Sequence, residues 1–332
     1  MKASVFARYG PPEVLKLTEV AKPAPGDEDV LVRVRATSVN FGDTLVRNFR
    51  SISPSRFHMP FLFWLIGRTS FGLLRPRITI LGSEFAGDIE AVGRRVRRFK
   101  VGDRVFGYRG SRMGAYAEYL RVPENAVMAP MPGNLTYEEA ASIPYGAIMA
   151  LGLLRKLKLR RGQRILVVGA SGGIGQAIIQ IASAHFGARV TGVCGPSGVE
   201  SVRALGAEQV IDYTREDFVE RGEIYDVIID VLGRNSFARC KRVLAPNGRM
   251  VFVSFKMPQL LQMLKTRFRG DQKVICALMT ETVDDLVFVT GLIEAGKLRP
   301  CVDRTFRLEQ AAAAHRYAES PEKKGNVVIT VP

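Results

Sequence analysis

Residues 165–186 constrain this chain more than any other stretch. Ile165–Val168 is an uninterrupted run of large aliphatic side chains, Gly169–Gly175 is rich in glycine, and Gln176–Phe186 has the spacing of an amphipathic helix. Four such residues bounded by glycine predict a strand buried on both faces, as in a parallel sheet. Gly169, Gly172 and Gly175 recur at every third position. Glycine there permits a tight turn, close approach of the backbone to a pyrophosphate, and a helix lying close on the strand. The helix N-terminus then offers unpaired N–H groups and the positive end of its dipole to phosphate. With a strand before it and a helix after it, the turn is read as a dinucleotide cradle made by Gly169, Ala170, Ser171, Gly172, Gly173, Ile174 and Gly175.

A length of 332 residues exceeds one comfortable core and predicts two domains. Apolar content of 47% with 24% charged residues is that of a soluble globular protein. The opening residues Met1–Arg8 alternate like a strand and lack the apolar run of a signal peptide, so a cytoplasmic location is expected. Cys194, Cys240, Cys276 and Cys301 are scattered without a C-x-x-C pair, and His58, His185 and His315 are not spaced with other ligands. Neither a disulfide framework nor a metal centre is expected. The net charge of +16 is the unusual quantity. Its one cluster, Arg94, Arg95, Arg97, Arg98 and Lys100, reads as a solvated basic face, although such a field also attracts anionic cofactors, nucleic acid or acidic lipid. Phe99 is the only aromatic residue there to stack on a base.

Before the glycine turn the pattern is that of strands. Ala3–Arg8, Leu15–Val20 and Val30–Ser38 alternate with period two between proline- and glycine-rich breaks, which predicts a barrel or sandwich. Further strands are expected over Gly82–Gly93, near Val105 and over Ala115–Val122, and Thr136–Glu139 has the form of a capping box that opens helical segments running to Leu157. Phe57–Leu81 carries apolar runs between arginines, each far short of the ~20 residues that span a bilayer. A lid, a dimer contact and an interfacial membrane patch are the three readings of that stretch. After the glycine turn, strands at Arg189–Cys194, Gln209–Asp212, Tyr225–Asp230 and Arg249–Phe255 alternate with helical segments at Val199–Leu205, Glu216–Glu220 and Ser236–Leu244. This rhythm predicts a doubly wound parallel sheet. Helices over Asp284–Ala295 and Leu308–Glu319 and a strand over Asn326–Val331 complete the chain.

Gly82-Ser-Glu-Phe-Ala-Gly, Gly102-Asp-Arg-Val-Phe-Gly, Val167-Val-Gly-Ala-Ser-Gly-Gly-Ile-Gly, Leu205-Gly-Ala, Val210-Ile-Asp-Tyr and Lys324-Gly-Asn-Val-Val-Ile occur in this order across almost the whole chain. Jointly they resemble the medium-chain dehydrogenase/reductase superfamily, and within it the zinc-free quinone oxidoreductase branch. The resemblance implies an α/β protein in which a GroES-like β-barrel domain, residues 1–124 and 287–332, receives an inserted Rossmann doubly wound parallel sheet, residues 125–286. It also implies an active site in the cleft between the domains, a homodimer, and NADPH as cofactor. Zinc-dependent relatives carry a cysteine in the region of Asn40 and a histidine after the glycine matching Gly82; here those places hold Asn40 and Ser83.

The choice of nicotinamide cofactor turns on the loop after the second Rossmann strand. An NAD-binding chain usually carries Asp or Glu there to hold the ribose hydroxyls, whereas this chain has Gly195-Pro-Ser-Gly198 and no acid before Glu200. That permits the 2′-phosphate of NADPH, with NADH as the alternative; Ser197 supplies a hydroxyl, the nearest basic residue, Arg203, lies further on in the helix, and Tyr213 matches a tyrosine at the family's adenosine-phosphate contact. Lys324 of the closing motif joins the predicted cofactor-binding residues. Similar proteins have threonine where Met149 stands, near the nicotinamide ring.

Without zinc, hydrogen-bond donors must stabilise charge on the substrate oxygen during hydride transfer. Asn40 is the expected donor, Asp43 the residue that orients its loop, and Tyr145 the lining of the pocket. Two bland readings stand beside these: Asn40 as a helix cap and Tyr145 as a core tyrosine. The expected acceptor is a quinone or an α,β-unsaturated carbonyl, with solvent as final proton source. A short-chain dehydrogenase would need Tyr-x-x-x-Lys downstream of the glycine motif, and none follows Gly175. The remaining rival is a cofactor-binding protein with little or no catalysis that contacts RNA or membrane through its basic surface.

Overall fold

The computed structural model describes residues 1–55, 57, 59–278 and 280–332; His58 of the sequence argument lies outside them. The chain forms two compact units, one of residues 1–53, 66–145 and 281–332, the other of 54–65 and 146–280.

Strands β1 (Lys2–Val5) and β2 (Lys16–Glu19) pair as an antiparallel ribbon. Strand β3 (Asp29–Val39) follows, and its alternating valines enter the core of the first unit. Helix α1 (Phe41–Arg47) starts directly after it because Asn40 caps it: Asn40 Oδ1 accepts from Gly42 N at 2.9 Å, and Asp43 Oδ2 accepts from Asn40 N at 3.0 Å, a reciprocal box at the helix start. Helix α2 (Phe61–Phe71) lies in the apolar stretch singled out above.

Strands β4 (Glu84–Val92), β5 (Arg104–Tyr108), β6 (Tyr119–Pro123) and β7 (Val127–Pro130) come next. They are followed by helices α3 (Tyr137–Ala141) and α4 (Pro144–Leu157). The expected capping box forms, with Glu139 N donating to Thr136 Oγ1 at 3.3 Å and Thr136 N donating to Glu139 Oε2 at 2.9 Å. The strand expected from Ala115 begins only at Tyr119, because Ala115 and Tyr116 instead bond through their N–H groups to Gly82 O and Leu81 O.

The second unit runs β8 (Arg164–Val168), α5 (Gly173–Gln180), β9 (Arg189–Cys194), α6 (Val199–Ala204), β10 (Gln209–Asp212), β11 (Tyr225–Asp230), α7 (Phe237–Cys240), β12 (Leu244–Phe252), α8 (Met257–Phe268) and β13 (Lys273–Cys276). All pairs in its sheet are parallel, in the order β10-β9-β8-β11-β12-β13. This is the doubly wound order 3-2-1-4-5-6, in which the direction of strand addition reverses between the first and fourth strands. The predicted helix after the glycine turn is present but widens into a π turn over Ile181–His185, with Phe186 N donating to Ile181 O. No helix forms over Glu216–Glu220: Asp217 Oδ1 accepts from Val219 N at 2.9 Å, a local turn that competes with helical bonding.

Helix α9 (Val283–Glu294), strand β14 (Val302–Arg307), helix α10 (Ala311–Ala318) and strand β15 (Asn326–Thr330) return the chain to the first unit. The seven-stranded sheet there has the order β14-β15-β3-β4-β5-β7, with β6 also on β3. Residues 125–145 and 281–286 group with this unit rather than with the parallel sheet. Within the first unit β7 extends the sheet beside β5, and Asn134 Nδ2 donates to Ile293 O at 3.3 Å.

The basic cluster is largely engaged. Arg94 pairs with Asp27 at 2.7 Å and Arg95 with Glu28 at 3.4 Å, while Phe99 is in the core and is not presented for stacking. Among the described residues no helix is long and apolar enough to cross a membrane.

Candidate active site

In the second unit the glycine turn leaves β8 at the reversal of strand order. Gly169 has φ +87, a conformation side chains disfavour, and its N–H and that of Ala170 both donate to Val193 O at 3.1 Å, locking the turn to β9. A Cβ on Gly175 would lie 2.2 Å from Gly169 O, so only glycine lets the helix start this close to the strand end. No side chain caps α5, which leaves its first N–H groups open to an anion.

The neighbouring loops complete the crevice. Gly198 packs on Ser171, since a Cβ there would be 2.7 Å from Ser171 Cβ, and Ser197 is exposed on the same short turn. Tyr213 N donates to Cys194 O at 3.2 Å, and its mostly exposed ring stands beside Gly195. Ser197 and Tyr213 therefore gather with Gly169–Gly175 at the carboxyl ends of β8, β9 and β10. Lys324 belongs to the first unit, where its N–H donates to Asp303 Oδ2 at 2.7 Å.

Asp230, at the end of β11, is an organiser that the sequence argument missed. It is fully buried; its Oδ1 accepts from Leu232 N and Gly233 N, and its Oδ2 from Asn235 N and Asn235 Nδ2, all within 2.8–3.1 Å. This fixes the loop whose Leu232 flanks Gly169. An acid at the end of an apolar strand, followed by Gly233 and Asn235, was the available signal.

The first unit assembles Asn40, Asp43, Ser83, Glu84 and Tyr145. Asp43 is fully buried and ties two loops, since Oδ1 accepts from Gly82 N at 2.9 Å while Oδ2 accepts from Asn40 N. Burial pushes its carboxyl up to about 7 against the pull of these N–H groups, with the nearby Glu84 adding to the rise. Glu84, likewise buried and raised by burial, accepts from Tyr145 N at 2.7 Å and from the Ser38 hydroxyl. Asn40 Nδ2 donates to Ser83 Oγ at 2.6 Å and reaches Glu84 Oε2 at 3.5 Å.

Asn40 is therefore both cap and donor: its oxygen is committed to the backbone of α1, and one of its two amide hydrogens is held only by the long contact to Glu84. Ser83 Oγ accepts from Asn40, and among the described residues its own proton has no acceptor. Tyr145 is partly buried, its ring 5.2 Å from that of Tyr108, and burial raises its phenol to about 12, so it stays protonated at neutral pH. Glu84 was missed as a site residue although it is the single acid among the apolar and small residues of the Gly82–Gly87 motif.

A second polar chain supports this cluster. Buried Arg47 donates to Gly10 O at 3.1 Å, to both Glu319 oxygens at 2.8 and 3.0 Å, and through Nη1 to His315 Nδ1 at 2.7 Å. An arginine only donates, so His315 Nδ1 is the acceptor and Nε2 carries the proton facing Tyr116 Oη at 3.0 Å. Burial and the Arg47 charge keep the imidazole neutral, pushing its pKa well down. Tyr116 Oη in turn donates to Ser38 O at 3.3 Å, beside the hydroxyl that Glu84 holds. Among the described residues no three His, Cys, Asp or Glu side chains converge as metal ligands.

The amino-acid pattern has recognisable relatives. Residues 26–133 match the alcohol dehydrogenase GroES-like domain, and residues 205–329 match a zinc-binding dehydrogenase family. The chain is 31% identical to the quinone oxidoreductase of Mus musculus over 95% of its own length and 93% of that protein. It belongs to the medium-chain dehydrogenase/reductase superfamily, in the quinone oxidoreductase-like branch. Two solved members share its fold. The Coxiella burnetii quinone oxidoreductase superposes with a TM-score of 0.85 at 27% identity, covering 100% of this chain and 99% of that one. The Escherichia coli quinone oxidoreductase complexed with NADPH gives 0.81 at 26% identity, covering 99% and 100%. For this medium-chain chain the GroES-like domain and the Rossmann-like sheet are thus established together.

Proposed function

We propose that this chain is a zinc-independent, NADPH-dependent reductase of quinones or α,β-unsaturated carbonyls. The carrying observation is the 2.6 Å hydrogen bond from Asn40 Nδ2 to Ser83 Oγ: two neutral, mutually bonded side chains stand where zinc-dependent relatives carry Cys and His. The quinone oxidoreductases among its relatives support the reaction class.

The glycine cradle fits a dinucleotide, because Gly175 lets the start of α5 lie against the turn and the first turn of α5 is uncapped. Gly169–Gly175 would hold the pyrophosphate, and Ser197 and Tyr213 the adenosine end. Exposed Arg215, two residues past Tyr213 and 3.7 Å from Asp212, adds a cation suited to a 2′-phosphate. Bound NADPH supplies the hydride.

The loosely held Asn40 amide hydrogen and the Ser83 hydroxyl proton are the donors for the carbonyl oxygen as it gains charge, a preorganised arrangement of the oxyanion-hole kind. Asp43 positions both loops, and Tyr145 lines the substrate side. Hydride addition and one solvent proton convert a quinone to its hydroquinone, or an enone to the saturated ketone, with NADP⁺ as the oxidised product.

Two substitutions separate the donor role of Asn40 from its cap. Asn40→Ala removes both, whereas Asn40→Ser keeps a capping oxygen and removes the amide donor. Both are expected to lower kcat by roughly tenfold to a hundredfold while the NADPH Kd stays unchanged. Full turnover in Asn40→Ser would reduce Asn40 to a helix cap.

A further inference from the structure

Tyr108 is absent from the site residues expected from the sequence, yet the fold of the first unit brings it to them. It ends β5, where the antiparallel register sets it directly opposite Glu84 of β4, so the two side chains share one face of the sheet. Just beyond this pair Arg109 N donates to Ser83 O at 2.6 Å and ties the two strand ends together. Glu84 Oε1 in turn accepts from Tyr145 N at 2.7 Å, and the rings of Tyr108 and Tyr145 stand 5.2 Å apart at 33°. Strand register and ring contact thus place both phenols beside the Asn40 and Ser83 donors.

What the two phenols lack is an acceptor. Both residues are partly buried, and among the described residues neither hydroxyl has a hydrogen-bond partner. Burial raises Tyr145 to about 12 and Tyr108 further, and the carboxylates of Glu84 and Glu281 push each in the same direction. Both hydroxyls therefore keep their protons at neutral pH and can donate. Polar groups withdrawn from water in this way are normally satisfied, which points to an acceptor that a ligand brings.

The site accordingly holds two sets of donors. Asn40 Nδ2 and Ser83 Oγ form one, adjoining Glu84 Oε2, and the phenols form the other, tied to Glu84 Oε1 through Tyr145 N. A simple enone has one oxygen and can satisfy one set. A para-quinone carries an oxygen on each of two opposite edges of a flat ring, so it can satisfy both, and its ring suits an aromatic wall. We propose that the Tyr108–Tyr145 pair is a subsite for the second oxygen of the acceptor, which makes para-quinones the fitted substrates and simple enones poor ones. This rests on the reductase function proposed above and narrows its substrate class.

The test is steady-state NADPH oxidation by the full chain with naphthoquinone and with cyclohexenone, in wild type, Tyr108→Phe and Tyr145→Phe. Phenylalanine keeps each ring and removes only the hydroxyl. The ratio of kcat/KM for the quinone to that for the enone is expected to fall about three- to tenfold in each variant, the effect of one neutral hydrogen bond. A loss of folded protein would lower both acceptors alike and leave the ratio where it was, and if one variant does not fold the other reads the same subsite. Turnover of both acceptors by wild type with an unchanged ratio in either folded variant would overturn the subsite and leave the reductase function standing. No turnover of either acceptor by wild type would remove that function and the subsite with it.

Discussion

Replacing Gly175 by Ala is expected to weaken NADPH binding at least tenfold and to lower the melting temperature. The added methyl would sit 2.2 Å from Gly169 O and 2.9 Å from Ala170 Cα. Both are backbone atoms and neither can rotate away. The turn must open, at a cost of about 1–3 kcal/mol typical of overpacking. Opening it moves the N–H groups of α5 off the position in which they meet a phosphate, and each 1.4 kcal/mol of lost interaction is about tenfold in affinity. Gly172→Ala is the internal control for stability alone, because its methyl meets only Gly169 O at 3.6 Å, an ordinary contact within the protein. Thermal melts of the two variants should diverge sharply. Identical behaviour would show that the turn is not the tight cradle described.

Asp43→Asn is expected to destabilise the first unit by about 1–3 kcal/mol and to change how stability depends on pH. The carboxylate accepts from two backbone N–H groups, Gly82 N and Asn40 N. An amide offers one oxygen and turns an NH2 toward the other donor, leaving a buried N–H unmatched. The pH effect follows from the raised carboxyl, near 7 in the fold against an ordinary 3.8. A raised acid favours the fold in its protonated form, so this contribution is complete below about pH 4 and is lost as pH rises through about 7. Its full size is on the order of 4 kcal/mol. Glu84 acts with the same sign, so the quantity to follow is the difference between wild type and variant. Denaturant unfolding from pH 4 to 8 should show wild type losing stability relative to Asp43→Asn across that window. A constant difference would mean that Asp43 is ionised throughout.

The parts legible in the sequence were those whose cause is local. The glycine turn announces itself because its spacing is the constraint, and β11 falls on the predicted residues Tyr225–Asp230 because three apolar residues, Val227–Ile229, stand between Asp226 and Asp230. Helix α8 and strand β13 escaped because α8 is apolar on two faces, Leu260 and Met263 inward and Leu261 and Leu264 outward, which blurs the helical period. Glu84 escaped for a different reason. Its burial makes sense only beside Ser38 and Tyr145, 46 and 61 positions away, and no local pattern reports such partners. Asn40 was legible as a cap, and its Oδ1 accepts from Gly42 N and Asp43 N as a cap does.

The most direct measurement of the central claim is anaerobic NADPH oxidation by the purified full chain with a panel of para-quinones and α,β-unsaturated ketones, without added metal and again with a chelator. Loss of NADPH one-for-one with reduced acceptor, insensitive to the chelator, is the predicted result. NADPH that binds but is not oxidised with any acceptor, or turnover that the chelator abolishes, would contradict it.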